Sequence, residues 1–199
     1  LFSWLEDIII KYKKWESEKI FHSASGVGAP NFKINKKYWI TTSRSWKRIN
    51  IEAQTVRNII DAALGAGASC NRQAFKFGIK HNNFEHPERD GASNKTMFEQ
   101  APLRIDIFYL KKAYHEKVSH AVDIGMLTQN IVLSANDLNL STCVCYASEY
   151  STIPQKELLS IYNLNSEYEC VVNVLIGLKK YHSMKNPRRN LTSYIIKAK

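Results

Sequence analysis

The chain has 199 residues, 44% of them hydrophobic and 23% charged, a balance that excludes wholesale disorder and leaves enough apolar material for a core without disulfide or metal staples. No run of about eighteen uncharged apolar residues occurs, which excludes an ordinary transmembrane helix. The formal net charge of +10 sits at the ends: residues 1–50 hold ten basic and four acidic side chains, residues 51–178 eleven and fourteen, and residues 179–199 seven and none.

That distribution suits a nucleic-acid partner, a small phosphorylated ligand gripped by both ends, or a solubilising surface. The chain opens at Leu1 rather than Met, which reads as a truncated or processed product. Phe2 to Ile10 is too short and too acidic for a signal peptide. Residues 1–21 place Trp4, Ile8, Tyr12 and Trp15 at helical spacing, and residues 22–37, with Gly26, Gly28, Pro30 and Asn31, read as an extended loop. Residues 1–40 are therefore expected to form an arm ahead of a domain over 41–199.

A helix is expected from Asn50, capped by that side chain, with Val56, Ile59, Ile60, Ala63 and Leu64 as its apolar stripe and Gly65 and Gly67 at its end. The polar loop Ser69 to Gln73 follows. A strand then puts Phe75, Phe77 and Ile79 on one face. Residues 81–96 read as a polar surface excursion, and Leu103 to Leu110 as a second alternating strand. From Ser119, a long helix repeats Ala121, Ile124, Leu127, Ile131, Ala135 and Leu138 at three and four, and its apolar width predicts burial on two sides. Ser141 to Ala147 reads as a strand with Cys143 and Cys145 on one face. Pro154 opens a short helix, and Cys170 to Leu178 is a buried strand. Helices interposed between strands, with sparse hairpin signals, point to an α+β layered fold.

The four cysteines, Cys70, Cys143, Cys145 and Cys170, form no CxxC spacing and read as reduced core residues of a cytoplasmic protein. His81 and His86, near Glu85 and Glu88, match no metal spacing, so no metal site is expected. Three polar segments can carry chemistry. Ser43-Arg44-Ser45-Trp46-Lys47-Arg48 combines forked donors, a hydroxyl and a point charge, a set suited to a phosphate monoester. Ser69-Cys70-Asn71-Arg72-Gln73 offers amides and a hydroxyl that can read the polar edge of a heterocycle. Pro187-Arg188-Arg189-Asn190 is a second phosphate clamp. Each read alone is also an ordinary solvated loop or tail.

In their order along the chain, SRSWKRI, GASCNRQAFKF, DIGMLTQNIVLSANDLNLSTC, VLIGL and PRRNL resemble the nitroreductase family of flavoproteins over about residues 41–195. The helix segment matches most of the family's D-x-G-x-x-x-Q-N-x-x-L-x-A-x-x-L-G-L-x-T. CNRQ, with the Gly- and Pro-Asn-containing loop before it, resembles a subset with longer N-terminal regions. The resemblance implies a mostly antiparallel sheet flanked by helices, an intertwined homodimer, and noncovalent FMN at its interface. By motif, Arg44, Ser45 and Lys47 would meet the flavin phosphate and ribityl chain, Arg188 and Arg189 the same phosphate, and Ser69, Asn71 and Gln73 the ring edge. No catalytic side chain is required, because the flavin would take hydride from NAD(P)H and pass it to a small planar acceptor such as a nitroaromatic or quinone. Where the family often has Gly or Glu-Gly against flavin N5, this chain has Tyr146-Ala147. That departure sustains the alternative of a noncatalytic member of the fold binding a ligand or partner. No nucleic-acid-binding pattern accompanies the basic ends, and neither nucleic acid nor membrane is expected as a partner.

Overall fold

The computed structural model describes residues 40–181 apart from 41, 86–87, 89–92, 117 and 148–152. All of these lie in the second of two units into which the chain divides, Lys36–Lys199. The expected N-terminal helix and loop, Arg188, Arg189 and the basic tail lie outside the described residues.

Helix α1 (Ala53–Leu64) leads to β1 (Phe75–His81), α2 (Asn94–Gln100), β2 (Leu103–Leu110), α3 (Ser119–Asp137), β3 (Ser141–Tyr146), α4 (Gln155–Ile161) and β4 (Tyr168–Gly177). The strands form one sheet in the order β1-β2-β4-β3, with every pairing antiparallel. This is the α+β architecture expected from the sequence.

Side chains of alternate parity face α1 and α3 on one side of the sheet. There Leu103, Ile105, Ile107, Val172, Val174 and Ile176 meet Val56, Ile59 and Ala63 of α1 and Ile124, Leu127, Ile131 and Ala135 of α3. The α1 stripe is as expected, except that Leu64 is exposed. The start of the helix differs. Glu52 is its N-cap, with no side-chain hydrogen bond, so Asn50 falls two residues short of the capping position. Helix α3 stops where Asn139 enters the left-handed region at φ 59°, and the Leu140 N–H closes onto Ala135 O at 2.8 Å. Asn tolerates this conformation where most side chains do not.

The opposite sheet face is covered too, which the alternation of β2 did not reveal. Helix α2 was missed in the polar stretch before Pro102. Ser93 caps it by accepting from the Thr96 N–H at 3.2 Å, and Met97 is its one buried residue. Across this face runs the row Lys80, Arg104, Leu175 and Cys143, then the row Gly78, Asp106, Asn173 and Cys145. Asp106 is fully buried. It accepts from Arg104 Nε at 2.9–3.0 Å, from Tyr162 Oη at 2.7 Å and from Asn173 Nδ2 at 2.7 Å. Burial, then the Asp106 charge, pushes the Tyr162 phenol well above its usual range, so it stays a donor.

The Tyr162 ring lies flat against Gly78. A Cβ built there would sit 2.5–2.8 Å from three ring carbons. Gly78→Ala is therefore expected to lower the unfolding free energy by about 1–3 kcal/mol, as overpacking of a filled site does. A urea midpoint equal to that of the unmodified protein would show that the ring yields without cost.

Candidate functional site

The segment around Arg44 is tied to the sheet by backbone and by one aromatic anchor. The Ser43 N–H donates to Thr142 O at 2.9 Å, the Lys47 N–H to Leu178 O at 2.8 Å, and the Lys180 N–H to Ser45 O at 3.1 Å. Trp46 is 1% exposed, and its indole N–H donates to Ser141 O at 3.3 Å. Trp46 is turned inward, whereas Arg44 and Lys47 are exposed and Ser45 is half-buried. Ser43 is buried and donates its hydroxyl to Ser45 O at 3.0 Å.

The second candidate segment is a strained loop. Ser69–Asn71 form a 3₁₀ turn, with Cys70 at φ 52°, Asn71 at φ 51° and Gln73 at φ 48°. Three non-glycine residues in the left-handed region cost roughly 1–2 kcal/mol each, so the surroundings must over-determine the shape. A buried carboxylate does so. Asp123 of α3 accepts from the Ser69 N–H at 2.9 Å, from Ser69 Oγ at 2.8 Å and from Tyr114 Oη at 2.9 Å. Arg72 closes the loop from outside through Glu116 at 2.8 Å and lies 5.5 Å above the Tyr114 ring. The hydrogen bond from Arg72 holds the Glu116 carboxyl down at about 2. Gln73 Nε2 donates to Asn71 Oδ1 at 2.6 Å, and both residues are exposed.

Asp123 and Tyr114 carried no role in the sequence reading. Asp123 stands first in the DIGMLTQN motif, which was the available signal. Asp123→Leu is expected to cost about 3 kcal/mol, because it orphans the Ser69 N–H and two hydroxyls. Asp123→Asn, which keeps an acceptor towards Ser69, is expected to cost much less. Equal urea midpoints for the two variants would remove the locking role.

Burial first, then the hydrogen bond to Asp123, pushes the Tyr114 phenol up to about 12. A phenol raised above its unfolded value of about 10 contributes stability that is complete below that pH and is lost as pH rises towards 12. The unmodified protein should therefore lose stability across that interval more steeply than Tyr114→Phe, as compared by urea titration at each pH.

The two segments do not meet within one chain. The Arg44 segment lies at the sheet end marked by His81, Leu103, Ser141 and Gly177. The Ser69–Gln73 loop enters β1 at Phe75, opposite Tyr109, at the other end. The length of β1 alone separates them by about 20 Å. Tyr146, 57% exposed, ends β3, and Ala147 begins the turn that follows. The Ala147 N–H donates to Val171 O at 2.8 Å, so that donor is already used. Among the described residues, no group of three or more His, Cys, Asp or Glu is placed to hold a metal ion, and no helix is long and apolar enough to cross a membrane.

The family model described as the nitroreductase family matches residues 41–178. Among solved structures, an FMN-dependent nitroreductase from Clostridium difficile R20291 aligns with a TM-score of 0.64 at 18% identity, covering 80% of this chain and 93% of that one. A Desulfovibrio desulfuricans protein solved in complex with FMN aligns with a TM-score of 0.64 at 17% identity, covering 87% and 99%. An NADH oxidase candidate from Clostridium acetobutylicum aligns with a TM-score of 0.65 at 21% identity, covering 83% and 98%. These likenesses show a shared fold. No curated protein sequence matches the chain.

Proposed function

The chain belongs to the nitroreductase family, and from that premise we propose that it is an FMN-dependent oxidoreductase that moves reducing equivalents from NADH or NADPH to a small planar acceptor such as a nitroaromatic or a quinone. FMN, when bound, would supply the redox chemistry by carrying the reducing equivalents; Arg44, Ser45 and Lys47 would hold its phosphate and Ser69, Asn71 and Gln73 its ring edge. The observation that carries this reading is the exposure of Arg44 and Lys47, with the half-buried Ser45 between them, on a segment that Trp46 fixes to the sheet. Two cations and a hydroxyl held by backbone pairing are the donor set a phosphate monoester needs.

At the opposite end of the sheet, Asn71 and Gln73 are exposed on a loop whose shape Asp123 locks, so their amides keep a fixed direction towards a heterocycle edge. About 20 Å separates these groups, which argues that one flavin takes its phosphate contacts from one protomer and its amide contacts from a second. We therefore propose a homodimer with two composite sites. Arg188 and Arg189 complete the phosphate contacts in this reading. All four cysteines are free thiols, three of them buried as expected of core residues and Cys70 exposed on its loop instead, and their reduced state supports the reading of a cytoplasmic protein.

A second reading, a noncatalytic member of the family that binds a ligand or partner, has one observation in its favour. The Ala147 N–H is committed to Val171 O, where an enzyme of this kind would offer a backbone donor to the flavin edge. The absorption spectrum of the purified protein separates the two readings. Flavin bands that bleach anaerobically with NADH or NADPH, with free FMN in the supernatant after denaturation, are the expected result. A protein that stays colourless after FMN is added overturns the enzyme reading in favour of the second.

A further inference from the structure

We propose that Cys143 and Cys145 form an intrastrand dithiol that hydrogen peroxide and similarly small peroxides oxidise to a disulfide. The proposal does not require the flavin reading, although the Arg44 guanidinium enters both. It begins with strand geometry. Residues two apart on β3 share a face, and the two Sγ atoms lie 3.9 Å apart. Both thiols are buried, at 5% and 4% exposure, in an apolar cluster with Trp46, Met97, Ala101 and Leu175, against which Phe98 packs.

The two sulfurs are not equivalent. A hydrogen bond from Cys145 and the Arg44 guanidinium beside it hold the Cys143 thiol below the usual thiol value, against the effect of burial. The same hydrogen bond, together with burial, pushes the Cys145 thiol up. Cys143 is thus the nucleophile and Cys145 the proton-bearing partner that resolves it.

The Cys143 thiolate attacks one peroxide oxygen, the O–O bond breaks, and hydroxide leaves and is protonated to water. The resulting sulfenic acid is attacked by the Cys145 sulfur. The S–O bond breaks, the S–S bond forms, and the Cys145 proton leaves with the hydroxyl as a second water. Two thiols lose two electrons, and one peroxide gains them.

Burial selects the oxidant by size, because hydrogen peroxide can enter where a tripeptide disulfide such as oxidised glutathione cannot. Residues two apart on a strand have Cα atoms about 6.6 Å apart, within the span a disulfide bridges.

The test maps thiols by mass spectrometry after treatment of the full-length protein. With hydrogen peroxide, the peptide carrying Cys143 and Cys145 is expected to lose two hydrogens and to regain them with dithiothreitol. Cys170, whose thiol burial and Asp106 push up to about 12, is expected to remain reduced. In Cys145→Ser the resolving thiol is gone, and dimedone present while the peroxide-treated protein is unfolded is expected to trap a sulfenic acid at Cys143. The proposal is overturned if both cysteines of the unmodified protein still alkylate fully after peroxide and unfolding. It is equally overturned if Cys145→Ser gives no dimedone adduct at Cys143, or if oxidised glutathione modifies Cys143 as readily as peroxide does.

Discussion

Replacing Asp106 with leucine is expected to cost about 3–5 kcal/mol of unfolding free energy, the range for removing one partner of a buried ion pair. Asp106 is fully buried, and the Arg104 side chain is 6% exposed. Without the carboxylate, the guanidinium stays in the second sheet face with no countercharge. Its Nη2 lacks a hydrogen-bond partner even with Asp106 in place. Tyr162 Oη and Asn173 Nδ2 lose their acceptor in the same substitution. A domain whose total stability is about 5–15 kcal/mol cannot absorb this easily.

The charge is the principal liability, so the double variant Arg104→Leu/Asp106→Leu is expected to recover much of the loss, since apolar replacements of a whole buried pair are often neutral. Urea unfolding of the two single variants and the double variant forms the measuring cycle. A single Asp106→Leu variant with an unchanged midpoint would mean that water reaches Arg104 and that the second face is far less closed than its burial indicates.

The sequence carries the first face of this fold openly and hides the second. Phe75, Phe77 and Ile79, the α1 stripe and the α3 repeat announce themselves because each buried position recurs at the period of its element. The second face is masked by its own polar content. Arg104 and Asp106 alternate with Leu103, Ile105 and Ile107 as they would on a strand with one wet face. Helix α2 buries only Met97, which is too little apolar periodicity to register, although Ser93 was in place as a cap.

The candidate site divides in the same way. Its residue types were legible as motifs, and the strand spacing of Cys143 and Cys145 was legible as a shared face. What held the Ser69–Gln73 loop was not, because Asp123 and Tyr114 come from segments 54 and 45 positions further on than Ser69, and linear spacing says nothing about such pairings. The distance between Arg44 and the loop was equally out of reach, since only the strand register fixes which end of the sheet each segment occupies.

Under the proposed function, Arg44→Ala combined with Arg188→Ala is expected to raise the Kd for FMN by about a hundredfold, taking about 1.4 kcal/mol, or tenfold, for each charge-assisted phosphate contact. Arg44 is exposed on a segment whose other bonds are made by backbone and by Trp46, so its removal should leave the segment in place and the urea midpoint nearly unchanged. Loss of affinity without loss of stability is what separates a ligand contact from a structural one. Lys47→Ala should behave in the same way with a smaller effect, because a single ammonium replaces the forked donor.

Salt gives an independent reading of the same contacts. Exposed cations that hold a phosphate are screened as ionic strength rises, so the unmodified protein should bind FMN more weakly in high salt. The double variant, having lost those cations, should show a flatter dependence. Riboflavin, which lacks the phosphate, should bind the unmodified protein and the double variant alike. A double variant that holds FMN as tightly as the unmodified protein would move the phosphate away from Arg44 and leave the basic ends of the chain without a ligand.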